Sequence, residues 1–456
     1  MRIIIILAIT LFYSIFAEAR KNDQVQPNII WIMADDMGYG DAGCYGQKLI
    51  KTPNIDTLST EGMRFTNAYA GSTVCAPSRS VLMTGKHAGH TRVRGNFGIR
   101  GGVVGLGGGK GRVPLRAKDL TVAEILKTQG YTTGLVGKWG LGEPKSSGAP
   151  NKKGFDFFFG FYNQRRAHNH YPDFLWLNEE RFDLPGNSGR DHQSQYAQDL
   201  FSSYAMNFIR QSKDVPFFLY ISFTVPHSKF QAPNLGEYDQ KNWTDEQKFY
   251  AAMISRMDSQ IGDIVGLVDS LGKKSNTVIF FCSDNGAANR YEGRFDSSGA
   301  LRGRKREMYE GGIRTPMIVR WPGKIKAHSV DHTPWYFADF LPTVAHLAGG
   351  RIPDDIDGMD ISEILLGKAT SSSRKIINNR FLYWEFYERG FQQAVRWKNW
   401  KAVKLKWNEP IELYDLSRDI SESRNIAAIH PEVVAQFEFY LKNCRIPSEE
   451  FPSPLD

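Results

Sequence analysis

Pro27-Asn28-Ile29-Ile30-Trp31-Ile32-Met33-Ala34-Asp35-Asp36 is the stretch on which the fold turns. Six apolar residues in a row, with no polar alternation, describe a strand buried on both faces, as in a parallel sheet. The run stops at two adjacent carboxylates. Further along, Tyr131 to Val136, Pro216 to Phe223, Thr277 to Cys282 and Pro316 to Arg320 read as more apolar strands. Helical stretches lie between them. Pro53 to Glu61 starts with Pro in its first turn. Thr121 and Glu124 form a capping box for a helix that stops at Gly130, and Thr244 and Gln247 open a long helix that runs to Gly272. Strands alternating with helices predict an α/β fold with a mostly parallel central sheet flanked by helices.

The pattern changes after about Ser371. Phe381 to Glu388, Gln393 to Arg396, Lys401 to Lys406 and Ile411 to Tyr414 are short strand-like segments, followed by a helix from Pro431 to about Lys442. They predict a small antiparallel sheet with one packed helix. Thr370-Ser371-Ser372-Ser373 reads as the linker. The expected division is a catalytic domain over 25–372 and a C-terminal subdomain over 373–456, since 456 residues exceed one ordinary core. Gly101 to Gly111 holds seven glycines without the spacing of a phosphate loop, and reads as a flexible loop.

Arg2, the apolar run Ile3 to Ala17 and the small residues of Ala17-Glu18-Ala19 predict a signal peptide over 1–19. The expected location is outside the cytoplasm, periplasmic or secreted, with no transmembrane segment after cleavage. An uncleaved N-terminal anchor is the alternative, although the run is short for a span. The four cysteines, Cys44, Cys75, Cys282 and Cys444, are too few for a disulfide framework. Net charge is +8 and the pI about 9.1. Lys and Arg are spread along the chain without a tail or nucleic-acid module, so no nucleic-acid partner is expected. The charge suits an enzyme attracting anionic substrates, and equally a basic surface with no role.

Ligands in open α/β sheets bind beyond the carboxyl ends of the strands. Asp35-Asp36 and Asp284-Asn285 occupy such ends on two strands. Adjacent buried carboxylates repel unless a cation intervenes, and an all-oxygen set suits Ca²⁺ or Mg²⁺. Helix capping is the plainer reading of either pair alone. In Cys75-Ala76-Pro77-Ser78-Arg79, a helix starting near Pro77 would put a helix N-terminus and the charge of Arg79 near position 75. That describes a nucleophile facing an anion, against the usual role of Cys as a buried hydrophobe.

Cys75-Ala76-Pro77-Ser78-Arg79 followed by Leu82-Met83-Thr84-Gly85, together with Gly130-Tyr131-Thr132-Thr133 leading to Gly137-Lys138-Trp139, resembles the signatures of the type I sulfatases. The motif style is similar to bacterial arylsulfatases and N-acetylgalactosamine-6-sulfatase-like carbohydrate sulfatases. The resemblance runs from about Asn28 to Leu441 and implies an alkaline-phosphatase-like fold. It also implies one Ca²⁺ and oxidation of Cys75 to formylglycine by a formylglycine-generating or sulfatase-maturating enzyme. The implied reaction is hydrolysis of a sulfate ester on a carbohydrate, a glycosaminoglycan or algal polysaccharide fragment. One hydroxyl of the hydrated aldehyde attacks sulfur and the other expels sulfate. The implied metal ligands are Asp35, Asp36, residue 75, Asp284 and Asn285. Arg79 is implied to support the nucleophile, Lys138 and Lys305 to contact sulfate, and His227 to protonate the leaving oxygen.

One departure stands out: many relatives continue Gly-Lys-Trp with His, where this chain has Gly140. His168 and His170, in a polar loop flanked by aromatics, are candidates for that helper role or for substrate binding; a structural role is the alternative. His87, His90, Arg92 and Asn96 are weaker candidates for the pocket rim, and Trp176, Tyr171 and Trp384 for stacking on a sugar. Two other functions compete: phosphodiester or phosphonate ester hydrolysis by the same site, and non-catalytic binding of sulfated glycans.

Overall fold

A computed structural model describes residues 26–102, 111–187, 193–289, 291 and 293–456. The expected signal peptide over 1–19 and most of the glycine-rich stretch lie outside these residues. Among the described residues, no helix is long and apolar enough to cross a membrane.

Asn28–Ala34 is strand β1, buried along its whole length. Its alternate residues feed opposite sides of the sheet. Ile29, Trp31 and Met33 join one apolar cluster, and Ile30, Ile32 and Ala34 the other. Trp31 shows how tightly the first cluster packs, with ring centroids 5.3 Å from Phe280 and 4.2 Å from Phe340. Two buried faces explain why β1 has no polar alternation.

The sheet is built outward from β1. With β2 (Met63–Phe65) and β3 (Ala68–Tyr69) intervening in sequence, β4 is Thr132–Lys138 and β5 is Phe157–Phe161. β6 (Phe174–Leu177) and β7 (Glu180–Asp183) precede β8 (Phe217–Ser222), β9 (Thr277–Ser283), β10 (Met317–Arg320) and β11 (Ser329–Asp331). The spatial order is β11-β2-β10-β9-β1-β8-β4-β5-β6-β7. The five central strands β9-β1-β8-β4-β5 are mutually parallel, while β10, β6 and β7 pair antiparallel at the flanks. The parallel block puts the carboxyl ends of β1, β4, β8 and β9 on one edge.

Helices α1 (Pro53–Glu61), α2 (Cys75–Thr84), α3 (Val122–Thr128), α4 (Ala197–Gln211) and α5 (Asp245–Ser270) are the longer flanking ones in this part of the chain. The two expected capping boxes, Thr121 with Glu124 and Thr244 with Gln247, are both formed. Strands β5 to β7 and helix α4 were not expected. β5 is a run of phenylalanines around Gly160, too short for its periodicity to separate a strand from a buried helix and interrupted by a glycine that weakens the strand signal.

The C-terminal segments form a four-stranded antiparallel sheet in chain order: Phe381–Phe386, Gln392–Trp397, Trp400–Lys404 and Glu412–Asp415. The helix Pro431–Asn443 packs Val433, Phe437 and Leu441 against Tyr383, Val395, Ala402 and Leu413. The Ser/Thr stretch expected as a linker is instead the start of a helix, Ser371–Asn378, with the Thr370 hydroxyl accepting from the Ser373 N–H. Ser and Thr favour helix N-caps as much as loops, which is why composition misreads them here.

Candidate active site

Helix α2 begins at Cys75, two residues before the expected start, and all ten of its residues are buried. Pro77 is its third residue. A first-turn N–H has no partner within the helix, so Pro loses nothing there. Gly85 ends the helix in the left-handed region, with φ 68°. Cys75 therefore sits at the positive end of a buried helix, where an anion is favoured.

The strand ends deliver the other groups. Asp35 and Asp36 follow β1, Lys138 is the last residue of β4, His227 lies five residues beyond β8, and Asp284 and Asn285 follow β9. Each carboxylate has its own cation, all buried. Lys138 Nζ lies 2.6 Å from Asp35 Oδ2, Lys305 Nζ 2.6 Å from Asp36 Oδ1, and Arg79 Nη2 2.7 Å from Asp284 Oδ2. Burial alone would lift the Asp36 carboxyl, but the charges of Lys305, His227 and Lys138 outweigh it and hold it well below the usual range. For Asp284, burial and repulsion from Asp35 prevail and push it up.

The Cys75 thiol lies 3.4 Å from Asp35 Oδ1 and 3.5 Å from Lys305 Nζ. Burial, then the negative charge of Asp284, push it up to about 12. Arg79 has no hydrogen bond to it among the described residues, its Nη2 lying 3.9 Å from the Asp35 Oδ1 that the thiol contacts. Its guanidinium bonds Asp284, the Lys138 carbonyl at 2.9 Å, and the hydroxyls of Tyr220 and Ser222. It ties α2 to β4, β8 and the end of β9.

Ligand atoms of Asp35, Asp36, Cys75 and His227 all lie within 4.8 Å of one another, a spacing that a metal ion can bridge. His227 enters this group by geometry, its Nε2 being 3.4 Å from Asp36 Oδ2. Asp284 stands at its side, one oxygen taken by Arg79 and the other accepting the Asp36 N–H at 3.1 Å. Asn285 donates to Asp36 Oδ1 at 2.8 Å, and its own Oδ1 is buried with no hydrogen-bond partner. An orphaned buried oxygen beside three carboxylates fits a hard divalent cation.

His227 Nδ1 lies 2.5 Å from the Ser228 carbonyl. A carbonyl only accepts, so Nδ1 carries the proton and Nε2 offers a lone pair. Burial, opposed by Asp36 and reinforced by Lys305 and Lys138, lowers His227 to about 3, so the ring is neutral. His168 stacks on it, centroids 4.0 Å apart, and burial lowers His168 to about 2. His170, considered above for substrate contact, is fully buried behind them. Its Nε2 donates to the His227 carbonyl at 3.0 Å and its Nδ1 accepts from Thr224, so it braces the His227 segment and is not among the residues lining the cavity that Cys75 opens into.

Cys75, His168, His227 and Lys305 open into a cavity of about 280 Å³, also lined by Asn96, Phe97, Arg112, Gln164, Arg165, Arg306 and Glu388. Of the weaker candidates only Asn96 lines it. His87 and His90 bond Asp357, Arg92 pairs with Glu450, and Trp384 is core, its Nε1 bonded to the Ala70 carbonyl. Tyr171 and Trp176 pack elsewhere. Arg112, Gln164, Arg165, Arg306 and Glu388 had no motif to mark them. The one signal was the polar stretch Gln164-Arg165-Arg166 directly ahead of His168.

Comparison with known proteins agrees with this geometry. The family profile described as Sulfatase matches residues 27–350, and that of the N-sulphoglucosamine sulphohydrolase C-terminal region matches 303–445. The chain is 32% identical to human Arylsulfatase A, over 90% of this chain and 85% of that protein. It is 30% identical to the N-acetylgalactosamine-6-O-sulfatase of Bacteroides thetaiotaomicron, over 93% and 94%. A crystal structure of Ps i-CgsB in complex with k-i-k-neocarrahexaose superposes with a TM-score of 0.79 at 29% identity, covering 92% of each chain. With the profile spanning most of the chain and the relatives aligned almost end to end, this protein belongs to the sulfatase family and is a sulfuric ester hydrolase.

Proposed function

We propose that this enzyme removes sulfate from a sulfated carbohydrate, with residue 75 as nucleophile after conversion of Cys75 to formylglycine. The position of Cys75 carries the reading: it starts a buried helix on the floor of the cavity, beside Lys305 and Asp35. A thiol pushed up to about 12 is neutral at physiological pH and a weak nucleophile. Formylglycine supplies a hydrated aldehyde in its place, with one hydroxyl to attack and a second to free the sulfate. We assign Asp35, Asp36, residue 75, Asp284 and Asn285 to one Ca²⁺, whose chemistry when bound is to polarise sulfate oxygens. The sugar class is supported by the relatives named for carbohydrate sulfates.

The chain's own groups supply the remaining work. Lys138 and Lys305 each carry three N–H donors, so each can keep its carboxylate and still bond a sulfate oxygen. The α2 N-terminus adds positive potential at the same point. His227 Nε2, bare in the neutral ring, must first take up a proton from solvent; the negative charge of an entering sulfate ester favours that imidazolium, whose Nε2 then gives the proton to the leaving oxygen. We assign His168 to the second half of the reaction, where its stacking fixes the His227 ring and its imidazole borders the cavity. The leader at residues 1–19 supports export and maturation by a formylglycine-generating or sulfatase-maturating enzyme.

Mass spectrometry of the tryptic peptide carrying residue 75, on protein from its native host, tests the core of this. The expected peptide is lighter than the cysteine form, and Cys75→Ala lowers 4-nitrophenyl sulfate turnover by about four orders of magnitude or more. Full activity with intact cysteine overturns the nucleophile. Higher efficiency on an aryl phosphate diester moves the substrate class to phosphoesters, and glycan binding without turnover makes the chain a binder.

A further inference from the structure

The mouth of the cavity carries more positive charge than the sulfate on its floor requires. Glu388 is the one carboxylate among the described rim residues, and both its oxygens are engaged. Oε2 accepts from Arg306 Nε at 2.9 Å and Oε1 from Asn96 Nδ2 at 3.1 Å. Two further guanidiniums share the rim. Arg112 is half-buried and donates to the Asn96 carbonyl. Arg165 has its backbone N–H fixed on Asn163 Oδ1 at 2.8 Å, while its exposed side chain has no hydrogen bond, ion pair or ring contact among the described residues. Burial weakens proton binding at Arg112 most; the charge of Glu143 opposes this, that of Arg165 adds to it and that of Glu388 again opposes it, so the two guanidiniums feel each other with Arg112 only partly compensated. Like charges converging on one opening are costly unless an anion comes between them. Planar guanidiniums match carboxylate and sulfate oxygens with paired donors.

We infer that Arg165 and Arg112 form a subsite for a second anionic group of the substrate, a carboxylate or a second sulfate on the same or the adjoining sugar. This rests on the carbohydrate sulfatase reading and narrows it to a multiply anionic glycan. Arg165 is the specificity-determining member, because its guanidinium is uncommitted. Arg112 borders the same space from the opposite segment of chain.

The test uses the full-length protein and three disaccharides that share one sulfated sugar. The neighbouring sugar is a neutral hexose, a hexuronate, or a hexose with a second sulfate. 4-Nitrophenyl sulfate reports on the sulfatase chemistry itself. The wild type is expected to prefer a doubly anionic disaccharide in kcat/KM, and the arm that shows it identifies carboxylate or sulfate. Arg165→Ala should cut that preference about five- to tenfold, mainly through KM, with Arg165→Glu cutting it further and Arg165→Lys restoring part. Arg112→Gln should act in the same direction. The preference should also shrink as salt rises, because charges at an open mouth are screened. No preference in the wild type, or one unchanged in both Arg165→Ala and Arg165→Glu, overturns the subsite while 4-nitrophenyl sulfate turnover leaves the sulfatase reading standing. A matured wild type inactive on every sulfate ester overturns that reading, and the subsite with it.

Discussion

Asp41 is fully buried and accepts hydrogen bonds from the Tyr250 hydroxyl at 2.5 Å and the Gly38 N–H at 2.7 Å. Burial exceeds the help of these donors and pushes its carboxyl from 3.8 up to about 7. The folded chain holds this proton until about pH 7, whereas the unfolded chain releases it near pH 4. Stability from this group is full below about pH 4 and is lost as pH rises toward 7, an effect on the order of a few kcal/mol. Asp41→Asn keeps the shape and removes the titration. Urea midpoints measured from about pH 5 to pH 8 should then fall less in the variant than in the wild type. Equal slopes would place the pH dependence elsewhere. The cluster around Cys75 shows the same physics with cations added: Asp36 is as buried as Asp41, yet Lys305 reverses the direction of its shift. A sequence places Asp36 at a strand end, but not a lysine 269 residues away against it.

The segment after β4 leaves no room for a side chain at position 140. Gly140 has φ 84°, and a Cβ there would lie 2.4 Å from Gln164 Nε2, which itself donates to the Gly140 carbonyl. A side chain at 140 therefore meets both left-handed strain and an occupied space. We predict that Gly140→His, the substitution that the resemblance noted above suggests, costs about 1–3 kcal/mol of stability and does not raise turnover. Thermal unfolding and kcat on 4-nitrophenyl sulfate check this. A stable variant with a higher kcat would show that the site had room for the usual base. Helices α3 and α5 were legible because their capping boxes are local, a side chain and a backbone N–H three residues apart. Strands β6 and β7 were not, although they pair with each other as a tight hairpin, because each is only four residues long and the Asn178-Glu179 turn between them lacks the glycine that usually marks such a turn.

Across the molecule, the C-terminal sheet is fastened to the catalytic body by buried charge. Lys401 Nζ lies 3.0 Å from Glu310 Oε1 and 3.2 Å from Glu422 Oε1, Glu310 accepts from the Tyr69 hydroxyl at 2.7 Å, and the Glu310 N–H bonds Glu422. Glu310 opens a short helix, Glu310–Ile313, five residues after Lys305. The fastening therefore also holds the segment that carries Lys305 and Arg306. Lys401→Met leaves the buried Glu422 without its cation, while Glu310 keeps Arg314 at 3.0 Å, and should cost about 3 kcal/mol. Activity should fall at lower urea than the loss of far-ultraviolet dichroism, because the Lys305 segment loosens first. Coincident loss of both signals would mean that the sheet and the site unfold as one unit.

By itself the sequence determined the parallel core, the C-terminal sheet with its helix, and the family, because these rest on local periodicity and contiguous motifs. An apolar run such as Asn28–Ala34 declares its burial without reference to any partner. Only the tertiary structure decided that His227 shares the carboxylate cluster, that His170 lies behind it, that Gln164 fills the space at Gly140, and that Arg112 and Arg165 meet at one opening. Those relations join segments dozens to hundreds of residues apart. They are set by how the strands stack and where the connecting loops cross the sheet edge, which no short stretch of chain encodes.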